Sequence, residues 1–264
     1  MRYGFIGAGN MGGALAKALC KTVSGSQVLL SDKMPGKAKA LAEELSCCSG
    51  DTLQAAACST VFLGVKPQVM AAALEEVQPI LQNNPGVLLV SMAAGLSMAE
   101  IRRLAGGDYA VIRIMPNMPV AVGEGMILYD RTENVTDEML QTFLQDMQAA
   151  GLFDALPEAL IDAGSAVSGC GPAFAFLMME ALADGGVRCG LPRQKAQMYA
   201  AQMLKGAATQ LLESGEHPGV LKDAVCSPGG TTIAGVEAME RGGFRAAAMD
   251  AVTAAYQRTK ELAK

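Results

Sequence analysis

Five short apolar runs, Tyr3–Gly7, Val28–Ser31, Thr60–Val65, Val87–Ser91 and Tyr109–Met115, recur along the first half of the chain with helical patterns between them. Each has the length of a strand, and their spacing of roughly 20 to 30 residues is that of successive strand–helix–strand units. Runs such as Val61-Phe62-Leu63-Gly64-Val65 and Val87-Leu88-Leu89-Val90 present no polar face. A parallel strand covered by helices on both sides has none either. The pattern therefore predicts an α/β architecture, a doubly wound parallel sheet.

After about residue 160 the strand signal stops, and helical patterns broken by Gly-Pro, Gly-Leu-Pro and Ser-Pro-Gly-Gly take over. At 264 residues the chain exceeds the usual size of one domain. The expected division is residues 1–157 for the sheet and 158–264 for an all-helical domain, with the boundary near Leu156-Pro157. Trp is absent and aromatics are 5%, so packing falls to Ala, Leu, Val and Met. Ala173 to Leu182 is apolar nearly all round, whereas Ala196, Ala200, Leu204, Ala207 and Leu211, and later Ala248, Val252, Ala255 and Thr259, keep to one face. A helix apolar on every side needs partners around it, which predicts a homo-oligomer, a dimer at least, with the helical domain as the dimerisation domain.

Composition narrows the function. A formal charge of -5 and no Lys/Arg cluster predict no nucleic-acid partner, since a duplex-binding surface needs a basic stripe. The uncharged stretch Ala163 to Met179 carries Gly, Ser and Pro in its first half, so no membrane span is predicted. Residues 1 to 13 lack the basic and apolar blocks of a signal peptide, so a cytoplasmic protein is expected. The 7 cysteines contain no Cys-x-x-Cys pair and His217 is the single histidine, so no metal site can be assembled locally. The cysteines, Cys170 and Cys226 included, read as reduced, small apolar fillers.

Gly7-Ala8-Gly9-Asn10-Met11-Gly12 follows the first strand and opens an amphipathic helix containing Leu15, Ala18 and Leu19. In that context Gly-x-Gly-x-x-Gly is a Rossmann-type dinucleotide motif: Gly7 for the turn, Gly9 for approach of the pyrophosphate, Gly12 for helix–strand packing. The second strand ends at Ser31-Asp32-Lys33, about twenty residues on, where an acid would take both hydroxyls of an NAD ribose. Ser31, Lys33, Lys37 and Lys39 could instead meet the 2′-phosphate of NADP, which leaves the coenzyme open. The dinucleotide should also cross Val65-Lys66-Pro67 and Ser91-Met92-Ala93-Ala94-Gly95, at the carboxyl ends of the next strands.

A second glycine–hydroxyl cluster, Ser227-Pro228-Gly229-Gly230-Thr231-Thr232, lies between two helical patterns. Consecutive N–H groups there would make a nest for a small carboxylate. A plain Ser/Thr helix cap after a Pro-Gly turn accounts for the same residues, and the residues alone do not choose.

The stretch Pro218 to Glu240, which reads Pro-Gly-Val-Leu-Lys-Asp-Ala-Val-Cys-Ser-Pro-Gly-Gly-Thr-Thr-Ile-Ala-Gly-Val-Glu-Ala-Met-Glu, resembles the pyrroline-5-carboxylate reductases. So do Gly4 to Met11, Val65-Lys66-Pro67, Arg113-Ile114-Met115-Pro116-Asn117-Met118-Pro119, Val167 to Phe174, Ala181 to Val187 and Gly190-Leu191-Pro192-Arg193, so the likeness runs end to end. The resemblance implies NAD(P)H-dependent reduction of 1-pyrroline-5-carboxylate to L-proline, with NADPH accepted and NADH usable. It implies that the substrate carboxylate rests on the backbone of Ser227, Gly229, Gly230 and Thr231, with Thr232 at the ring nitrogen and catalytic. It further implies that the dinucleotide contacts Ile6, Gly7, Ala8, Gly9, Asn10, Met11, Ser31, Asp32, Lys33, Val65, Lys66, Pro67, Met92, Ala93 and Ala94. Some relatives assemble dimers into rings. Ala224 stands where relatives carry a polar residue, and Asp32 stands at a variable corner.

A β-hydroxyacid dehydrogenase shares the domain order and the turn Val167-Ser168-Gly169, but looks to a Lys on the helix after that turn. Here the first Lys downstream is Lys195, past Gly190-Leu191-Pro192. A dinucleotide-binding sensor without turnover is the non-enzymatic rival, and the intact Ser-Pro-Gly-Gly-Thr-Thr cluster argues against it.

Overall fold

A computed structural model describes residues 1–262. In its first part strands and helices alternate: β1 (Tyr3–Ile6), α1 (Asn10–Leu19), β2 (Val28–Ser31), α2 (Pro35–Leu45), β3 (Cys48–Ser49), α3 (Thr52–Ala56), β4 (Thr60–Leu63) and α4 (Pro67–Gln82). There follow β5 (Leu88–Ser91), α5 (Met98–Ala105), β6 (Ala110–Met115), β7 (Gly125–Arg131), α6 (Asp137–Met147), β8 (Gly151–Ala155) and α7 (Glu158–Ser168). The remainder is helical: α8 (Gly171–Arg188), α9 (Arg193–Ser214), α10 (Pro218–Val225), α11 (Thr231–Arg241) and α12 (Phe244–Leu262).

The strands form one sheet in the order β3-β2-β1-β4-β5-β6-β7-β8. All pairs are parallel except β6 with β7, so the sheet is mostly parallel rather than wholly so. Beyond the five expected strands stand β3, β7 and β8. Their sequences explain why periodicity passes over them: β3 has two residues, and Gly125–Arg131 and Gly151–Ala155 carry half-exposed or exposed positions where the central strands are solidly buried.

Strand residues alternate between two cores. Phe5, Leu30, Phe62, Val90 and Ile112 meet Leu15 and Leu19 of α1 and Phe143 and Met147 of α6. Ile6, Leu29, Val61, Leu63, Leu89 and Val111 meet Ala55 of α3, Met70, Leu74 and Val77 of α4 and Ile101 of α5. Phe5 and Phe62 stack at 4.3 Å between centroids, 3° from parallel. Truncating Phe62 to Ala would cost about 3–5 kcal/mol. The helices owe their limits to local chemistry as well as to this burial. Pro67 sits at the start of α4, where its missing N–H costs nothing. Ser97 caps α5 through the Glu100 N–H, and Gly106 ends it in the left-handed region.

The chain divides into two compact units. One runs from Met1 to Cys170 and includes the chain from Ala255 on; the other is Gly171–Ala254. In the first unit, α7 lies past the expected boundary at residue 157 yet is bound to the sheet. Buried Arg113 of β6 reaches Glu158 at 3.3 Å and Asp162 at 2.7 Å. Asp130 of β7 accepts the Glu158 N–H at 2.6 Å, and Ile161 packs with Met115 and Leu128.

In the second unit α8 and α9 pack through small residues: a Cβ on Gly186 would stand 3.2 Å from that of Ala196. Among the described residues of α8 and α9, the buried ones are Ala183, Ala196 and Ala200. Large apolar side chains lie open, Leu177 at 68%, Leu212 at 77% and Met249 at 64% exposure among them. The run Glu158–Arg188 is long and apolar enough, at a mean hydropathy of 1.4, to cross a bilayer by length and composition.

Candidate active site

The strand register puts four of the expected cofactor segments side by side. Ser31 of β2 pairs with Ile6 of β1, Ile6 with Leu63 of β4, and Leu63 with Ser91 of β5. The turns leaving those residues hold Gly7 to Met11, Asp32-Lys33, Val65-Lys66-Pro67 and Met92-Ala93-Ala94. The chain moves to one side of β1 for β2 and to the other for β4, so this row lies at the topological switch point where a doubly wound sheet binds its ligand.

Each glycine of the turn has a different job. Gly7 has φ +102, a left-handed conformation, and a Cβ there would lie 2.7 Å from the Gly64 backbone; its N–H donates to the Ser31 carbonyl at 2.9 Å. At Gly12 a Cβ would lie 2.2 Å from the Gly7 carbonyl oxygen, which shows how closely α1 approaches the turn. At Gly9 nothing lies within 4 Å of a Cβ position. Gly9 is also the N-cap of α1 and offers no side chain to the first-turn N–H groups of that helix. These donors, with the helix dipole behind them, are of the kind that suits an anion, and they stand beside open space.

Asp32 is fixed by two backbone donors: Ala8 N–H to Oδ2 at 3.0 Å and Met34 N–H to Oδ1 at 3.0 Å. Lys33, Lys37 and Lys39 are exposed. Ser31 differs from the expectation of a phosphate ligand. It is buried, and its hydroxyl donates to the Phe5 carbonyl at 2.9 Å, so its side chain belongs to the sheet. Lys66 caps α4 and is exposed, Pro67 and Met92 are half-buried, Ala94 is exposed, and Ala93 is buried against the strands. Ala93 thus presents backbone alone.

In the helical unit Gly229 takes φ +65 and Gly230 donates its N–H to the Ser227 carbonyl at 3.0 Å, closing a tight turn into α11. The N-cap of α11 is Gly230, with no side-chain capping bond. The hydroxyls of Ser227, Thr231 and Thr232 are therefore not capping this helix, which removes the plain Ser/Thr cap left open by the residues alone. Ser227, Thr231 and Thr232 are exposed, with Thr231 and Thr232 in the first turn of the helix. Nearby, Lys222 is bonded to Asp223, which pushes its pKa upward and keeps it charged. His217 caps α10: its Nδ1 accepts the Gly219 N–H at 3.0 Å, a structural use that requires an unprotonated Nδ1.

Two further residues have no role assigned from sequence. Arg113 is buried with its Nε unpartnered among the described residues, and Asn117 is buried, its Nδ2 donating to the Ser168 carbonyl at 2.9 Å and its Oδ1 accepting the Met126 N–H at 3.0 Å. Together they fasten both ends of α7. A lone arginine inside the apolar run Tyr109–Met115 was the available signal.

A Rossmann-type sheet with its glycine turn intact, followed by a helical domain with a second glycine turn, defines a dinucleotide-dependent oxidoreductase class. Residues 2–95 match the family described as NADP oxidoreductase coenzyme F420-dependent, and residues 158–262 match the pyrroline-5-carboxylate reductase dimerisation family. The pyrroline-5-carboxylate reductase of Escherichia coli (strain K12) is 38% identical over 267 residues, covering 100% of this chain and 98% of the relative. The solved pyrroline-5-carboxylate reductase of Coxiella burnetii matches with a TM-score of 0.90 at 31% identity, covering 100% and 98% of the two chains. The Plasmodium falciparum pyrroline carboxylate reductase with NADP bound gives 0.89 at 28%, with the same coverage of 100% and 98%. The chain belongs to the pyrroline-5-carboxylate reductase family.

Proposed function

We propose that the chain reduces 1-pyrroline-5-carboxylate to L-proline with NADPH, and with NADH as a usable alternative. The observation that carries this reading is the 38% identity to a named pyrroline-5-carboxylate reductase along 100% of the chain, which takes in both glycine turns. The coenzyme fits the residues present: open space at Gly9, uncapped N–H groups at the start of α1, and a carboxylate at Asp32. Ile6 to Met11, Asp32-Lys33, Val65-Lys66-Pro67 and Met92-Ala93-Ala94 would hold it, with Ser31 contributing through its backbone. When bound, it supplies a hydride to an electron-poor carbon.

The rest of the chemistry falls to the chain. The imino acid's carboxylate rests on the backbone of Ser227, Gly229, Gly230 and Thr231, at the positive end of α11, with the Gly230 N–H closing the turn onto the Ser227 carbonyl. Thr232, at the second position of that helix, orients the ring nitrogen and shares its proton. A protonated imine carries its own activating charge, so positioning and exclusion of water are the main demands on the protein. No histidine is needed for this, and His217 is in any case a helix cap.

We infer that the active form is a homodimer or a ring of dimers. Supporting this are the open apolar faces at Leu177, Leu212 and Met249 and the match of residues 158–262 to a dimerisation family. On this reading the apolar side chains of Glu158–Arg188 are covered by a second copy, not by lipid. The seven cysteines are free thiols, which fits a reducing cytoplasm.

The β-hydroxyacid dehydrogenase reading needs a Lys on the helix after Val167-Ser168-Gly169, and α8 contains none. The test is consumption of reduced coenzyme by the purified chain. Oxidation of NADPH with pyrroline-5-carboxylate, and no activity on 3-hydroxyacids with oxidised coenzyme, is expected; the reverse pattern would overturn the proposal.

A further inference from the structure

Three cysteines unused by the proposed reaction gather where α1 and α2 end. Cys20 closes α1, its N–H donating to the Ala16 carbonyl at 2.9 Å; Cys47 follows α2, its N–H donating to the Ala42 carbonyl at 2.9 Å; Cys48 opens β3. The loop after Cys20 and the corner before Cys47 touch closely enough that a Cβ on Gly25 would lie 2.2 Å from the Ser46 carbonyl oxygen and 3.2 Å from the Cys47 Cα. Ser46 makes that corner at φ 53, the one positive-φ non-glycine among the described residues. The backbone thereby turns Cys47 toward the end of α1. Cys20 and Cys47 pack on the same core, while Cys48, the next residue along the strand, packs on the core of the opposite sheet face. The Cys20 and Cys47 thiols stand close enough for Cys47 to donate a hydrogen bond to a Cys20 thiolate, and both are half-buried.

We propose that Cys20 and Cys47 form a dithiol site that closes reversibly to a disulfide by exchange with a low-molecular-weight disulfide such as oxidised glutathione. The bond donated by Cys47 holds the Cys20 thiol below the ordinary thiol range, against burial, whereas the same bond and then burial push Cys47 up. Cys20 is therefore the attacking sulfur. Its thiolate bonds to one glutathione sulfur, the glutathione S–S bond breaks, and one glutathione thiolate leaves and takes up a proton. Cys47 then loses its proton and attacks Cys20, releasing the second glutathione as a thiol. Two protein thiols are oxidised to one disulfide, and one glutathione disulfide is reduced to two thiols. Cys48 faces the wrong side of the sheet to compete. The glycine turn lies at the other end of α1, about 15 Å away at 1.5 Å per residue, so coenzyme binding should be unaffected. Closing the loop between the two cysteines restricts the unfolded chain and should raise the melting temperature.

The test is to incubate the reduced full-length chain with oxidised glutathione, quench the thiols, and map peptides by mass spectrometry without reduction. The expected result is a Cys20–Cys47 cross-link in a chain lighter by two hydrogens, reversed by dithiothreitol. Its melting temperature should be raised and its KM for NADPH unchanged. Cys48→Ser should leave the cross-link intact, and Cys47→Ser should accumulate glutathione on Cys20. A stable glutathione adduct on Cys20 in the unsubstituted chain, a link to Cys48, or no reaction at Cys20 would each overturn the proposal. The unsubstituted chain and Cys48→Ser decide the matter even if the other variant does not fold.

Discussion

Asp32 braces the turn that it helps to line: its Oδ2 accepts the Ala8 N–H from inside the glycine motif at 3.0 Å. One carboxylate thus shapes the turn and sets the charge at the corner where a ribose would end. Removing that charge relieves repulsion of a 2′-phosphate by about 1–4 kcal/mol, for charges some 4 Å apart in surroundings between bulk water and a protein surface. Asp32→Ser should therefore raise the NADPH/NADH ratio of kcat/KM severalfold or more. Asp32→Asn keeps an oxygen for the Ala8 N–H and should shift the ratio while disturbing the turn less. An unchanged ratio in both would remove Asp32 from the ribose.

Thr232→Ala should lower turnover while fold and dinucleotide binding stay intact. The lost hydroxyl bonds a charged group, worth roughly 1.5–3 kcal/mol, or on the order of tenfold to 150-fold in rate. Thr231→Ala should do less, because its backbone N–H survives. Since Gly230 is the cap of α11, neither change should bring the loss of about 1 kcal/mol that follows removal of a capping hydroxyl. Rate per folded subunit and melting temperature, measured together, check both statements. Normal turnover in Thr232→Ala would end its catalytic assignment.

Arg113 should respond unequally to loss of itself and loss of its partners. Its side chain is 5% exposed, against 27% for Glu158 and 26% for Asp162, so the carboxylates have water to fall back on and the guanidinium does not. Arg113→Met should cost about 1.5–3 kcal/mol, the worth of its charged hydrogen bonds. The double change Glu158→Ala with Asp162→Ala leaves a buried cation unpaired and should cost more, about 3–5 kcal/mol. Urea unfolding gives the order, and the opposite order would contradict the role assigned to this network.

Tyr3 should mark the alkaline limit of stability. Burial, and after it the bond to Asp146, push its phenol well above the ordinary value of 10.0. The unfolded chain releases this proton near pH 10 while the folded chain keeps it, so the contribution is complete below pH 10 and is lost as pH rises through the folded value. Tyr3→Phe should show a shallower fall of the urea midpoint above pH 10 than the unsubstituted chain. Equal slopes would show that Tyr3 titrates normally.

Much of this molecule was legible because its central strands are buried on both sides. Val61-Phe62-Leu63 and Leu88-Leu89-Val90 can be little else, and the glycines at 7, 9 and 12 sit where a strand meets a helix. The edge was harder to read. Gly125–Arg131 ends in Asp130 and Arg131, whose partners lie far along the chain at Glu158 and locally at Asp137. The neighbours of Ser31 in sequence point to a phosphate ligand, but its hydroxyl is buried and donates to the Phe5 carbonyl of the adjoining strand. The roles of Arg113 and Asn117 depend on α7 returning to the sheet, a tertiary fact that spacing does not carry.

The most direct test of the central claim follows the hydrogen itself. With NADPH deuterated at the transferable position of the nicotinamide and unlabelled pyrroline-5-carboxylate, the purified chain should produce proline one mass unit heavier, with the deuterium on the former imine carbon. Proline formed without deuterium, or coenzyme oxidised with no proline appearing, would contradict the account.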